Sequence, residues 1–193
     1  MVEIYCFINP MDVCSVKRTE YIYDLIQEQK QKYKFHIIPI TNFNLICDYV
    51  QKNTTNRCLK NYNLGMDTVY NLALDYEALS TFNLSKAAKY LRDINPLLQK
   101  VPYSRDLSDQ VLRSLDICLP RFYKRKGSAL TKERVQRNQE LAQQMGVTSL
   151  PSHIVFNFNV DQDYGIVLDA NEDIHLMENL LEEPSIEKAV SSL

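Results

Sequence analysis

The sequence predicts an α/β fold whose sheet is assembled from the two ends of the chain, with a large all-helical insertion between them. Three observations carry this: a strand, a helix and a strand in close succession at the N-terminus; a long middle section with helical patterning and no convincing strand; and two short strands followed by helical patterns at the C-terminus. With 193 residues, 45% of them hydrophobic, the chain is long enough to bury one core and suits a domain carrying an inserted subdomain.

Residues 2–8, "VEIYCFI", are β-branched and aromatic and apolar on nearly both faces, the pattern of a central strand in a covered sheet. From Cys14 to Tyr33 the apolar residues Val16, Ile22, Leu25, Ile26 and Tyr33 recur at helical spacing among Lys, Glu and Gln. "YKFHIIPI", residues 33–40, is then a second strand closing near Pro39, and a βαβ unit of this length is normally parallel and right-handed. In residues 43–145, "MDTVYNLALDYEALSTF", "LSKAAKYLRDINPLLQ", "LSDQVLRSLDICL" and "LTKERVQRNQELAQQM" all repeat apolar residues at i, i+3, i+4, with Pro96, Pro102, Pro120 and Gly127 as punctuation. After Gly146, "SHIVFNF" and "YGIVLD", separated by "NVDQD", predict an antiparallel hairpin. "NEDIHLMENLLEE" and "SIEKAVSSL" are helical, with Pro184 at a helix start. Residues 1–42 and 146–193 thus form one discontinuous domain and 43–145 a helical insertion. The order β-α-β, insert, β-β-α is that of a thioredoxin fold interrupted by a helical cap.

Composition narrows the function classes. A net charge of -2, from 22 basic and 24 acidic residues, gives no sequence-wide field for nucleic acid or a membrane surface. The N-terminal stretch lacks the basic n-region and long apolar run of a secretory signal, and nothing later reaches the roughly 18 apolar residues of a membrane span, so a soluble cytoplasmic protein is expected. Cys6, Cys14, Cys47, Cys58 and Cys118 are odd in number and contain no C-x-x-C pair, which supports neither a zinc ribbon nor a disulfide framework.

Two segments are expected to meet in this fold. One is the strand-to-helix corner Pro10 to Ser15; the other is "GVTSLPSHIVFN", residues 146–157, where Pro151 directly precedes a strand pattern and makes Leu150–Pro151 a candidate cis bond. "VEIYCFINPMDVCS" resembles the N-terminal strand and corner of the DsbA-like thioredoxin-fold family, especially the cytoplasmic YjbH/SpxH-type adaptors of the ClpXP protease, and "QELAQQMGVTSLPSHIVFN" resembles that family's long helix, Gly-Val and cis-proline strand. The resemblance covers both ends of the chain, and the insert only by pattern. Carried over by position, the family's nucleophilic cysteine falls on Asp12, its proline on Val13, its variable residue on Cys14 and its resolving cysteine on Ser15, so both redox positions are lost. A carboxylate cannot attack a disulfide sulfur. Asp12 instead suits an N-cap and keeps a negative charge at a helix start.

The resemblance implies a redox-degenerate protein that binds a protein partner or peptide segment through Pro10, Met11, Leu150 and Pro151, with Leu150 offering backbone groups to an extended chain, and in the adaptor reading turns over a regulator by a protease. No cofactor and no metal are expected. The alternative is an enzyme: a thiol-disulfide oxidoreductase or isomerase acting through Cys14 alone, whose thiol would sit in the first turn of a helix near Lys17 and Arg18, or a relative of the kappa-class glutathione transferases using glutathione. For the latter, the activating serine would fall on Asp12, with Ser15 too late to replace it. A third reading is a scaffold of this fold with an unspecified partner.

His36, His153 and His175 fit no metal spacing and are expected to be solvent-facing or satisfied. The basic residues of "RFYKRKGSALTKER", residues 121–134, lie beside Phe122 and Tyr123 as a solvated helix face, the other choice being a docking surface for an acidic partner. Tyr62, Tyr70, Tyr76, Tyr90 and Tyr103 are assigned mainly to packing.

Overall fold

The structure is a computed structural model that describes residues 1–29, 32–42, 47, 50–51, 58–157, 165–169 and 174–182. Strand β1 (Val2–Ile8) leads into helix α1 (Val13–Gln27) and strand β2 (Tyr33–Pro39). Five helices follow: α2 (Leu59–Ser80), α3 (Leu84–Leu98), α4 (Arg105–Ser114), α5 (Leu119–Lys126) and α6 (Ala129–Gln144). Strands β3 (Ser152–Phe156) and β4 (Ile166–Leu168) and helix α7 (Ile174–Glu182) complete the described chain. The strands form one mixed sheet in the order β2-β1-β3-β4, with β1 parallel to β2 and antiparallel to β3, and β3 antiparallel to β4. This is the thioredoxin fold with a helical insertion.

Alternation in β1 explains how the sheet is covered. Val2, Ile4, Cys6 and Ile8 face a core completed by Ile22 and Ile26 of α1, Leu72 and Tyr76 of α2, Val155, Leu168 and Met177 of α7. Phe7, Ile38 and Ile154 face the other way, against Ala142 near the end of α6. Both faces are buried, as the unbroken apolar run anticipates. Fully buried side chains of this size contribute about 1.5–3 kcal/mol each.

Helix α1 stops at Gln27, short of the expected Tyr33, because Tyr33 already pairs with Val2 as the first residue of β2. Pro96 does not break the pattern but lies inside α3, where it forgoes the one backbone bond its missing N–H would have donated to the preceding turn. Pro120 likewise opens α5, where its missing N–H costs nothing. Asn83, Ser104 and Ser128 cap α3, α4 and α6 through their side-chain oxygens. At the end of α6, Gly146 takes a φ of 69°, the Gly146 amide donates to the Gln143 carbonyl at 3.1 Å, and the Val147 amide donates to that of Ala142 at 2.9 Å. That pair of bonds is a Schellman turn, and the positive φ explains the glycine. "NVDQD", "SIEKAVSSL" and Pro184 lie outside the described residues.

The insertion is joined by one buried polar cluster. The Asp75 carboxylate, on α2, accepts hydrogen bonds from Tyr90 of α3 at 2.6 Å and from Tyr103 at 2.7 Å, and Lys126 of α5 lies 2.6 Å from its other oxygen. The Ser108 hydroxyl of α4 donates to it at 3.4 Å. Asp75 is fully buried, so this ring of partners is what makes its burial tolerable.

Candidate functional site

The carboxyl end of β1 and the start of β3 lie side by side, because Phe7 pairs with Ser152. Asn9, Pro10, Met11 and Asp12 leave β1 at the same end of the sheet at which Leu150 and Pro151 enter β3, so the two segments singled out in the sequence flank one another on neighbouring strands. The Leu150–Pro151 peptide bond is cis.

The corner is held locally. Asn9 is buried, its side-chain oxygen accepts from the Met11 amide at 3.0 Å, and its carbonyl accepts from the Asp12 amide at 3.0 Å. Asp12 is the N-cap of α1 in an extended conformation, accepting from the Ser15 amide at 2.9 Å, the Ser15 hydroxyl at 2.8 Å and the Cys14 amide at 3.4 Å. Ser15 is fully buried, whereas Cys14 is exposed. Both oxygens of Asp12 therefore serve the helix start, and the Cys14 thiol in the same first turn stands in solvent.

The insertion also grips the corner. Asn95 of α3 is 1% exposed and donates to the Pro10 carbonyl at 2.8 Å, and Gln99 donates to that of Met11 at 3.5 Å. Across the sheet end, Asp169, just beyond β4, accepts from Ser149 at 3.2 Å and Ser152 at 3.0 Å, and the Ser152 hydroxyl also donates to the Ser149 carbonyl at 2.7 Å. Leu150 is thus bracketed by two bonded serines. Pro10 and Pro151 are buried, whereas Met11 and Leu150 are half-buried, as are Val13 and Val147 of the same segments.

His153 of β3 is fully buried, neither of its ring nitrogens has a partner among the described residues, and it is neither solvent-facing nor satisfied as the sequence led us to expect. Its place opposite Cys6 and Leu168 in the centre of the sheet accounts for the burial. Burial, aided by the charge of Arg18 on α1, pushes its pKa down to about 3, which keeps it neutral. His36 stacks on Tyr5 at 4.7 Å, and exposed His175 pairs with Glu178 at 2.5 Å. Among the described residues no group of three His, Cys, Asp or Glu could hold a metal ion, and no helix is long and apolar enough to cross a membrane. The basic run is partly engaged within the chain: Arg121 and Arg125 lie over Phe82, and Lys126 meets Asp75.

Sequence reasoning named Asp12, Cys14, Ser15, Met11 and Leu150 but not Asn95, Gln99 or Asp169. The one available signal for Asn95 was its place beside Ile94 on the apolar face of α3, where an amide must find a partner.

Comparison with known proteins agrees with this architecture. The profile of the family described as Thioredoxin matches residues 5–179. No curated protein matches the chain. A protein of Nitrosomonas europaea assigned as a protein disulfide isomerase superposes with a TM-score of 0.68 at 13% identity, over 94% of this chain and 96% of that one. The thiol-disulfide exchange protein alpha-DsbA2 of Wolbachia pipientis gives 0.66 at 12% identity, over 95% and 82%. A 2-hydroxychromene-2-carboxylate isomerase gives 0.61 at 12% identity, over 99% and 100%. At such identities these structures share the fold. The family match spans most of the sequence, and the chain belongs to the thioredoxin family.

Proposed function

We propose that the chain is a cytoplasmic, redox-silent DsbA-like protein that binds a segment of a protein partner at the corner and Leu150, in the manner of SpxH-type adaptors that deliver a regulator to a protease. The observation that carries this reading is the bonding of Asp12: a carboxylate occupies the cap of α1 and is held by Ser15, leaving no pair of thiols at the turn. Thiol-disulfide exchange needs a thiolate to attack and a second thiol to release the mixed disulfide efficiently. Binding needs neither. Met11 and Leu150 supply half-buried apolar surface, and backbone groups beside Leu150 can pair with an extended segment.

A second reading rests on Cys14, an exposed thiol in the first turn of α1: a monothiol oxidoreductase or isomerase, drawing on glutathione to resolve the mixed disulfide. One assay separates the two. Glutathione-dependent reduction of a disulfide-bonded test protein is measured with the native chain and with Cys14→Ser. No turnover above background with either supports the binding protein, whereas turnover lost in Cys14→Ser establishes the monothiol enzyme and overturns the first reading.

A further inference from the structure

Strand β2 ends the sheet, with β1 on one side and, among the described residues, no strand on the other. The Val2 amide donates to the Lys32 carbonyl at 3.2 Å and the Ile40 amide to that of Ile8 at 2.9 Å, which fixes the phase of the ladder. Parallel strands bond through alternate residues, so Lys34, His36 and Ile38 spend their backbone groups on β1. The N–H and C=O of Phe35 and Ile37 then point outward, and no described residue bonds to them. Pro39, the next residue of that outward set, has no N–H to lose, as suits a strand edge.

Two grooves open on this stretch of edge, one of about 340 Å³ between α1, β2 and α3 and one of about 320 Å³ between β2, α2 and α6. Phe35, Ile37 and Leu84 line both of them, Phe35 and Ile37 half-buried and Leu84 48% exposed. The grooves differ in chemistry. The first adds Tyr23 and Ala88 to this apolar wall, and the charges on its rim balance, Glu20 and Asp24 against Lys89 and Arg92. In the second, Glu77 is taken by Asn138 at 2.8 Å and by Arg134 at 3.9 Å, and exposed Arg137 pairs with no described residue. A surplus positive charge is left there.

We propose that β2 accepts an added strand, an extended segment of a protein partner in which apolar and acidic residues alternate. Its backbone bonds to Phe35 and Ile37, its apolar side chains enter the groove between α1 and α3, and an acidic side chain on the other face meets Arg137. Charge disfavours a second copy of this chain in that place: β2 alternates Phe35 and Ile37 with Lys34 and His36, which would bring basic groups toward Arg137.

The probe is a fluorescein-labelled peptide of alternating valine and glutamate, matched to the 7 residues of β2, and its binding to the full chain is read by fluorescence anisotropy. Two further peptides carry N-methyl groups on the valine amides or on the glutamate amides, and another replaces glutamate by lysine. An added strand turns only alternate amides toward its neighbour. The expected result is saturable binding that survives methylation of one set of amides and is lost with the other, with little response to the lysine peptide. Arg137→Ala should weaken it several-fold and Leu84→Glu about tenfold. Both residues are exposed, and an acidic residue suits the first turn of α3, so both variants fold. Absence of saturable binding, the same response to both methylated peptides, a lysine peptide that binds as tightly, or binding that neither variant changes would overturn the proposal. So would a chain that sediments as a dimer and excludes the peptide, since a second copy would then hold the edge. Failure here leaves the corner reading untouched, because no residue is shared.

Discussion

The hydroxyl of Ser15 donates to the carboxylate of Asp12 across the first turn of α1 at 2.8 Å, and the Ser15 amide donates to the same oxygen at 2.9 Å. Both groups are otherwise orphan donors at a helix start. Asp12→Ala removes the cap and leaves buried Ser15 unsatisfied, so it should destabilise the fold by about 1–2 kcal/mol. Asp12→Asn, which keeps the acceptor, should cost less. Urea unfolding monitored by circular dichroism reads the order.

The thiols should separate by reactivity. Burial pushes the Cys6 thiol far above its ordinary pKa, and its sulfur lies in the sheet core. Cys14 and Cys118 are exposed. Iodoacetamide should therefore modify Cys14 and Cys118 in the native protein and reach Cys6 only on unfolding. Mass mapping of the labelled peptides checks this, and rapid native labelling of Cys6 would contradict the burial.

His153 should make the protein sensitive to acid. Folded, it stays neutral until the pH approaches about 3; unfolded, it takes up a proton below its ordinary value of 6.5. Between those limits the unfolded chain binds more protons, so this contribution is complete above pH 6.5 and is lost as the pH falls toward 3, by about 1.4 kcal/mol per pH unit at most. His153→Leu should flatten the pH dependence relative to the native chain. Unfolding midpoints at pH 7.5, 5.5 and 4.5 provide the comparison.

Removing the centre of the polar cluster in the insertion should cost more than removing its edge. Asp75→Ala leaves the Lys126 ammonium, whose side chain is only 14% exposed, without its counter-charge and takes one of the partners of the Tyr90 hydroxyl, and should destabilise by about 3–5 kcal/mol. Ser108→Ala gives up a 2.8 Å bond with the Tyr90 hydroxyl and the longest of the bonds to Asp75, at 3.4 Å, but leaves no charge unpaired, and should cost less. Guanidinium unfolding of both variants tests the ranking.

The sheet and the helix cap were legible because their causes are local. An apolar heptapeptide, a helical repeat and an Asp at the turn each state their structure within a few residues. Tyr33 was read as helix and strand at once, and only pairing with Val2 decides between them. Pro96 and Pro120 looked like breaks, yet one lies in the last part of α3 and the other opens α5, where proline is tolerated. At the site, Asn95 reaches the Pro10 carbonyl and Asp169 reaches Ser149 and Ser152 from distant parts of the chain. Nothing in residues 94–96 or 168–170 spells those partners. The isolation of His153 is likewise a property of the assembled sheet, since the same strand at an edge would leave its ring in water.

Strand β1 is bordered by β2 on one side and β3 on the other, and the whole of residues 40–151 separates those two neighbours. As the polypeptide leaves the ribosome, β1 and β2 can pair early, but the second edge of β1 stays bare until the insertion has been made. A bare apolar strand is a template for mispairing. The helices emerge in that interval and close mainly on neighbours in sequence, a rapid class of folding event. Among their side chains, Leu72 and Tyr76 pack on the face of the sheet that carries Ile4 and Cys6. The insertion thus arrives in time to shelter the unfinished sheet, a service to the nascent chain that is independent of whatever the finished protein binds.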